Sequence, residues 1–216
     1  SYSFIYDNVW YFKDGKNYLK YDGTTIENVV GYIPTTTIAR KPMGGGTKHE
    51  DVNIISDYRI NTFLADGVSF SFFLDVMKID SSFVPVVTYT NTDDTKIKKD
   101  EKGVVATSEY TVDYTEGKIT FKTYPPEAPL TDGQDNIYVK FKKVAEDDKG
   151  VAIYKDLIHK CTLLQVFDNR VFFSGNPDYP NTLWHCSLND PTYFSDLDYY
   201  REGMDEARVK GMVAGN

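Results

Sequence analysis

The sequence predicts an all-β fold, with a β-meander at each end of the chain and a self-contained β unit between them. Three observations indicate this class. The 216 residues include 17 Tyr and 13 Phe, and aromatic residues favour strands over helices. Short runs alternate apolar and polar residues with a period of two. Asp-Gly pairs, which form turns, separate several of these runs. This length suits one large β domain or two small ones.

Residues 1–33 are predicted to form the first meander. The aromatic run Val9–Phe12 is followed by Asp14-Gly15, and the run Tyr18–Tyr21 is followed by Asp22-Gly23. An Asp-Gly pair between two β-rich runs is a strong hairpin signal, because a two-residue hairpin turn needs a positive φ at both central positions.

Residues 34–58 are predicted to be an irregular surface connection. They contain Pro34, Pro42 and the run Gly44-Gly45-Gly46. Three successive glycines can line a phosphate site, but here no Lys-Ser or Lys-Thr pair and no helical pattern follow them. The phosphate-loop interpretation is therefore rejected.

Residues 59–142 are predicted to form the central unit. Its apolar residues occupy every second position in several short runs: Phe70, Phe72 and Leu74; Val84 and Val86; Tyr110, Val112 and Tyr114; Ile119 and Phe121; Ile137, Val139 and Phe141. Such alternation is typical of sheets with one face in a core and the other in water. Its repetition predicts a small β-sandwich or barrel. The charged residues 91–108 are predicted to form a long hairpin loop.

The rest of the chain is predicted to return to a meander. Residues 143–150 suit a hinge, and residues 151–160 fit either a short helix or an irregular strand. Three strand-like runs then follow, at 162–167, 170–174 and 183–187. Arg208–Val213 predicts the beginning of a new strand that has no partner before Asn216. We therefore expect the chain to be a piece of a longer protein.

Charge and hydropathy argue against two classes of partner. The net charge is −8 and the pI about 4.9, whereas nucleic-acid binding needs a basic surface that displaces counterions. No run approaches the ~20 apolar residues of a membrane span, and the chain opens without a signal-peptide pattern. We expect no direct nucleic-acid binding, no membrane partner, and synthesis in the cytoplasm.

The two cysteines are predicted to be free. Cys161 and Cys186 fall on the first and third strands of one predicted meander. Strands lie ~4.8 Å apart, so the two Cα atoms would be about 10 Å apart. A disulfide needs a Cα separation of roughly 4.4–6.8 Å. We expect two buried thiols.

The sequence shows no motif that indicates catalysis, a metal or a cofactor. None of the three histidines belongs to an H-x-x-x-H pattern. His49-Glu50-Asp51 and His185-Cys186 are consecutive residues, which point to opposite faces of a strand. The acidic pairs Asp147/Asp148 and Asp196/Asp198 lack the spacing of a calcium loop, and no nucleophile elbow is present. We expect a protein that is not an enzyme.

Part of the chain resembles structural proteins of bacteriophages and prophages. The matching residues are Asn169–Pro177, Pro180-Asn181, Trp184 and Leu188–Phe194 at the C-terminal end, with Tyr18–Gly23 and Gly31–Thr36 at the front. In that family such a run, NRVFFSGNP…PN…W…LNDPTYF, belongs to a β-propeller-like blade.

The central unit, from Phe63 to Phe141, resembles a small β module that is common in phage tail proteins. The matching pieces are Phe63–Gly67 with Phe70–Phe72, and Tyr110–Asp113 with Gly117–Pro126. The resemblance implies that residues 59–142 are inserted into an outer, propeller-like domain made of residues 1–58 and 143–216. A complete propeller has 4–8 blades, and this chain has strands for one or two.

The resemblance implies a virion protein of the tail, nozzle or head–tail connector type, which would contact other virion proteins and its own copies in a ring. It carries over no catalytic residue. The candidate interface residues are Tyr193, Phe194, Tyr199 and Tyr200, since aromatic side chains anchor interfaces. The alternative is a carbohydrate- or receptor-binding module of a tail-tip adhesin, in which exposed tyrosines stack on a glycan.

Overall fold

The structure is a computed structural model that describes residues 3–38, 49–92, 95–144, 155–204 and 207–214. These residues form fifteen strands in four sheets, one short helix and one 3₁₀ turn, Thr107–Glu109, which confirms the all-β class. In chain order the elements are β1 Ser3–Tyr6, β2 Val9–Lys13, β3 Tyr18–Tyr21, β4 Ile26–Asn28, β5 Thr35–Thr37, β6 Tyr58–Phe63, β7 Ser71–Phe73, β8 Val86–Tyr89, β9 Tyr110–Asp113, β10 Lys118–Phe121, β11 Ile137–Lys142, α1 Lys155–His159, β12 Leu163–Phe167, β13 Arg170–Ser174, β14 Thr182–His185 and β15 Tyr199–Arg201.

The chain divides into two compact units. The first comprises Ser1–Tyr32, Asp51–Ser56 and Ala145–Asn216, and the second comprises Ile33–Glu50 and Asp57–Val144. This division differs from the predicted boundaries at residues 58/59 and 142/143 mainly in the segment 33–50. The reason is that β5 pairs in parallel with β6, a long-range pairing within the second unit.

The first unit contains two antiparallel sheets, each with its four strands in chain order: β1-β2-β3-β4 and β12-β13-β14-β15. Two-residue turns close the first hairpin of each sheet, at Asp7-Asn8 and Asp168-Asn169, and all four turn residues have positive φ. This is the backbone geometry that a tight hairpin requires. Both chain ends are therefore meanders, each of four strands.

The Asp-Gly pairs form wider turns than predicted. Four residues separate β2 from β3, and the carboxylate of Asp14 accepts backbone hydrogen bonds from Lys16 and Asn17 at 2.8 and 2.6 Å. Gly15 alone of this pair has a positive φ. In the following turn the carboxylate of Asp22 accepts the backbone N–H groups of Thr24 and Thr25 in the same way. The hairpins were predicted, but a side chain rather than a two-residue turn closes these two.

Both sheets of the first unit supply one hydrophobic core. The ring of Tyr18 on β3 packs edge-on against Phe173 on β13, with centroids 5.1 Å apart. Phe194, which has no exposed surface, contacts both rings. Ile54 and Ile158 complete the centre of this core.

The second unit is a two-sheet sandwich. The sheets β5-β6-β11-β8 and β7-β10-β9 share one core, in which Phe72 contacts Phe63 of the first sheet and Phe121 of the second. The described strands do not close into a barrel. The predicted hairpin loop at 91–108 is partly confirmed. An antiparallel bridge joins Thr88 of β8 to Val104, so the chain turns back onto β8 before it continues to β9 in the other sheet.

Three further predictions concern the segments between and after the meanders. The described part of 151–160 is helical, as α1. The predicted hinge lies mostly outside the described residues. The described residues 207–214 contain no strand, so the predicted strand at Arg208–Val213 is wrong. No helix in the described ranges is long and apolar enough to cross a membrane.

Candidate protein interface

The first sheet, β1–β4, carries apolar side chains on the face that points away from the core. Ile5 pairs with Trp10, Trp10 with Tyr21, and Tyr21 with Ile26, so one row of large side chains crosses all four strands. Residues that face each other in an antiparallel sheet point to the same side. Phe12 and Leu19 form the centre of the next row.

This apolar face, defined by Ile5, Trp10, Phe12, Leu19, Tyr21 and Ile26, is largely accessible. Ile5 is 75% exposed, Ile26 63% and Trp10 43%. The ring of Trp10 packs on Phe12 at 4.9 Å and edge-on to Tyr21 at 6.5 Å, so the aromatic side chains form one patch. The two remaining positions of these rows hold Ser3 and Asn28, and none of the eight residues is charged.

A sheet that carries large apolar side chains on both faces exposes apolar surface unless both faces are covered. The opposite face of β1–β4 carries Phe4, Tyr11 and Tyr18 and packs into the core. Antiparallel sheets with one solvated face normally alternate apolar and polar residues. Here the alternation fails, and contiguous exposed apolar surface of this kind marks an interaction site.

The four predicted interface residues are divided between the core and the surface. Phe194 is fully buried and offers no surface to a partner, so it does not belong to an interface. Tyr193 is half-buried: its ring packs on Tyr32 and its hydroxyl donates to the Asp51 carbonyl oxygen at 2.9 Å. Tyr199 and Tyr200 are 42% and 55% exposed on the edge strand β15.

Tyr199 and Tyr200 point to opposite faces of their sheet. Tyr199 pairs with Trp184 on the core-facing side, and Tyr200 pairs with Leu183 on the other. Tyr199 lines a pocket of about 220 Å³. The other lining residues combine apolar, aromatic and charged groups: Ile54, Leu157, Tyr179, Thr182, Trp184, Asp196 and Arg201.

Neither thiol is placed for nucleophilic chemistry. Cys161 and Cys186 are free and buried. Burial raises the pKa of Cys161 to about 12, although the ammonium of Lys13 acts in the opposite direction. Burial also raises the pKa of Cys186 to about 11, and its Sγ accepts the backbone N–H of Val171 at 3.1 Å. Both thiols are protonated at neutral pH, whereas a nucleophile must be a thiolate.

Lys13 is an unexpected buried charge. It lies on the core-facing side of β2 with 4% of its surface exposed. Its Nζ donates to the carbonyl oxygens of Ile158 and His159 at 2.9 and 2.7 Å, at the C-terminal end of α1. Burial lowers the pKa of Lys13 to about 8. A cation at the end of a helix satisfies carbonyls that have no partner within the helix, so this lysine is a structural cap.

The basic residues near the charged loop of the second unit are tied to their own surroundings. Lys96 forms an ion pair with Glu127 at 2.8 Å. The Nζ of Lys99 donates to the Asn91 carbonyl oxygen and lies 4.6 Å from the centre of the Tyr89 ring. Lys96 and Lys99 therefore have partners within the second unit itself, as expected for a solvated loop rather than for a basic binding surface.

The acidic and histidine groups singled out in the sequence are dispersed. The Glu50 carboxylate accepts the backbone N–H of Thr35, while Asp51 belongs to the other unit. His185 lies between the rings of Phe172 and Tyr200. Asp147 and Asp148 lie outside the described residues. The described ranges contain no group of three His, Cys, Asp or Glu side chains that could hold a metal ion.

From the sequence, Tyr2, Tyr6, Trp10 and Tyr11 fitted either core packing or a contact surface, and Trp10 lies on the apolar face. The row across the four strands was not predicted, although a signal for it exists. Val9–Phe12 and Tyr18–Tyr21 contain large apolar residues at both odd and even positions. Such strands predict a sheet that is covered on both sides. Comparisons of the chain with protein-family models, with curated proteins and with solved structures found no match.

Proposed function

We propose that this chain is a structural assembly component of a bacteriophage or prophage particle, of the tail or head–tail connector type, and that it performs no catalysis. The observation that carries the proposal is the exposed apolar row Ile5–Trp10–Tyr21–Ile26. A continuous row of this size on a four-stranded sheet favours association with another protein.

The particle assignment draws its support from the sequence. The run Asn169–Phe194 resembles propeller-like blades of phage structural proteins, and the two four-stranded meanders of the first unit are sheets of the kind from which blades are built. Within this proposal the protein is located in the virion, and its partners are other virion proteins and copies of itself.

Purified particles provide the test. The gene is deleted from the phage or prophage that encodes it and supplied in trans as the wild type, as Ile5→Lys/Ile26→Lys, or as Val68→Lys/Leu130→Lys. All four substituted side chains are exposed, and both double variants add the same charge, but only the first alters the apolar face.

We expect the wild type and the control variant to restore particle yield and to sediment with particles in a density gradient, detected by mass spectrometry. The Ile5→Lys/Ile26→Lys variant should reduce particle yield by about tenfold or more, because charges would then enter a buried contact. Full particle formation without the gene would refute the proposal.

A second candidate function is supported by the pocket beside Tyr199. Glycan-binding sites combine an aromatic face, on which the sugar stacks, with polar groups that bind its hydroxyls. Tyr179 and Tyr199 supply partly exposed rings, and Asp196 and Arg201 lie in the same pocket. This favours the carbohydrate-binding alternative over a purely structural one at this position alone.

A glycan array separates the two candidates. Tyr199→Ala and Tyr200→Ala form a matched pair, because the residues are neighbours of similar exposure that point to opposite faces. Glycan binding that is lost in Tyr199→Ala and retained in Tyr200→Ala would support the second candidate. An array without signal would remove it.

A further inference from the structure

The two meanders of the first unit carry the same hairpin. Asp7-Asn8 joins β1 to β2, Asp168-Asn169 joins β12 to β13, and the residues flanking each turn pair directly with each other. Corresponding positions of the two sheets can therefore be identified by counting from the turn.

The two hairpins bury opposite faces. In β2 the buried residues are Tyr11 and Lys13, three and five positions after the turn, an odd spacing. In β13 the large buried residues are Val171 and Phe173, two and four positions after the turn, an even spacing. The odd face of the first sheet thus packs against the even face of the second.

This arrangement is a head-to-tail stack. If two like sheets were related by a twofold axis, they would bury the same face. Sheets that stack by rotation in one direction bury unlike faces, as successive propeller blades do. Such a stack leaves an even face uncovered at one end and an odd face uncovered at the other. An even face and an odd face already pack together between the two sheets, so the two uncovered faces are of the kinds that fit each other.

The uncovered even face is the apolar face of β1–β4. The uncovered odd face belongs to β12–β15, and we call it the mixed face: Gln165, Phe167, Arg170, Phe172, Leu183, His185 and Tyr200. Phe167 and Tyr200 are exposed, and His185 packs between Phe172 and Tyr200 with centroid distances of 5.6 and 5.4 Å. Its one cation, Arg170, already donates to the Cys186 carbonyl oxygen at 3.1 Å.

We propose that the occupant of the apolar face is the mixed face of a second copy of this chain, so that copies associate head to tail. The inference deepens the proposed assembly role by naming the partner. A contact between unlike faces is heterologous, and each added copy exposes a new apolar face. The product is a closed ring or an open stack.

The expected contact between two copies is weak. Four strands spaced by ~4.8 Å, with up to five residues of ~3.4 Å each, cover about 19 by 17 Å. That is roughly 300 Å² in projection, below the ~800 Å² that each partner buries in a standard interface. We expect a dissociation constant of roughly 10–100 μM, and association that depends on concentration.

Two variants that disable different faces provide the test. Ile5→Lys/Ile26→Lys alters the apolar face, and Phe167→Lys/Tyr200→Lys alters the mixed face. Val68→Lys/Leu130→Lys is the control, since it adds the same charge to exposed positions of the second unit. Circular dichroism checks that each variant is folded, and sedimentation velocity from about 1 to 100 μM measures association.

The wild type and the control should grow in mean mass with concentration, and each face variant alone should associate at least about tenfold more weakly. An equimolar mixture of the two face variants should form a dimer and nothing larger, because it retains one intact pair of faces. Self-association of the mixed-face variant alone would overturn the proposal in favour of a twofold dimer through the apolar face.

A wild type that stays monomeric at about 100 μM would also overturn the proposal. That result leaves the proposed function intact if particles still require the apolar face, because another virion protein would then be its partner. If the chain associates head to tail but particles form without it, the self-association proposal stands and the proposed function fails. The two experiments therefore fail independently.

Discussion

The buried ammonium of Lys13 gives the first unit a stability that changes with pH in a defined direction. Its pKa is lowered to about 8 in the folded protein, against 10.5 for an ordinary lysine. Between these two values the unfolded chain binds more protons than the folded one. The contribution of this lysine to the free energy of unfolding therefore rises with pH in this interval.

The size of this change follows from the two pKa values. From pH 7 to pH 9 the folded lysine loses most of its proton, while the unfolded lysine keeps its own. The lysine contribution to the free energy of unfolding rises by about 1.3 kcal/mol over this range. Above pH 9 the change reverses, because the unfolded thiols ionise while Cys161 and Cys186, with pKa values raised to about 12 and 11, do not.

Urea denaturation at pH 7, 8 and 9 measures the effect in the wild type and in Lys13→Met, which keeps an unbranched apolar side chain. Both tryptophans of the chain, Trp10 and Trp184, lie in the first unit, so their fluorescence reports that unit. The free energy of unfolding of the wild type minus that of Lys13→Met should increase by about 1.3 kcal/mol from pH 7 to pH 9. This corresponds to a shift of about 0.5 M in the urea midpoint of the wild type relative to the variant.

Lys20→Met is the matched control, because Lys20 lies on the adjacent strand in an ion pair with Glu27. The hydrogen bond from this lysine to Glu27 raises its pKa, so its removal should leave the slope between pH 7 and 9 unchanged. A Lys13→Met difference that is flat over this interval would refute the account of Lys13 as a buried charge.

Three further predictions concern the thiols and the second unit. At pH 8, Cys161 and Cys186 should react with a disulfide reagent only when urea unfolds the protein, because burial raises both pKa values; rapid native reaction would contradict this. Gly117→Ala should destabilise the second unit by about 3 kcal/mol or more, since its Cβ would lie 2.1 Å from a backbone oxygen. Gly133→Ala, also at positive φ but in open space, is the control and should cost about 1 kcal/mol. Equal losses of stability in the two variants, measured by circular dichroism, would contradict the clash argument. Asn136→Ala should cost about 2–4 kcal/mol, because its buried side chain binds two backbone groups at 2.9 Å, and an unchanged melting temperature would be inconsistent with that role.

Local patterns carried most of the strand predictions. The alternation at Ile137–Phe141 matches β11, in which Ile137, Val139 and Phe141 are all fully buried. Alternation reports the local environment of each side chain, so it identifies strands without information on their partners. The parallel pairing of β5 with β6 depends on long-range contact, and no pattern within three threonines indicates it.

Pattern alone also failed where distant residues decide burial. Lys13 reads as a surface residue, yet its two acceptors lie 145 and 146 residues away in the sequence. Phe194 lies in an irregular segment without periodicity, so its position against Tyr18 and Phe173 could not be predicted. The row of the apolar face was not predicted because alternation normally marks one side of a strand as polar, and here the side that points away from the core holds the apolar residues Trp10, Phe12, Leu19 and Tyr21 on both central strands.

The side-chain-closed turns have a consequence for the behaviour of the protein in mild acid. Asp66 closes a turn of the second unit in the same way, because its carboxylate accepts the backbone N–H groups of Val68 and Ser69. Hydrogen bonds, chiefly from the Asn17 side chain for Asp14 and from the Ser69 side chain for Asp66, lower the pKa of both carboxyls to about 2. Their contribution to stability is complete above the ordinary pKa of 3.8 and is lost only as the pH falls through about 2. The pI of about 4.9 lies well above that range. At its isoelectric point the protein therefore loses colloidal repulsion while both turn carboxylates are still ionised, so precipitation at that pH does not require these turns to open.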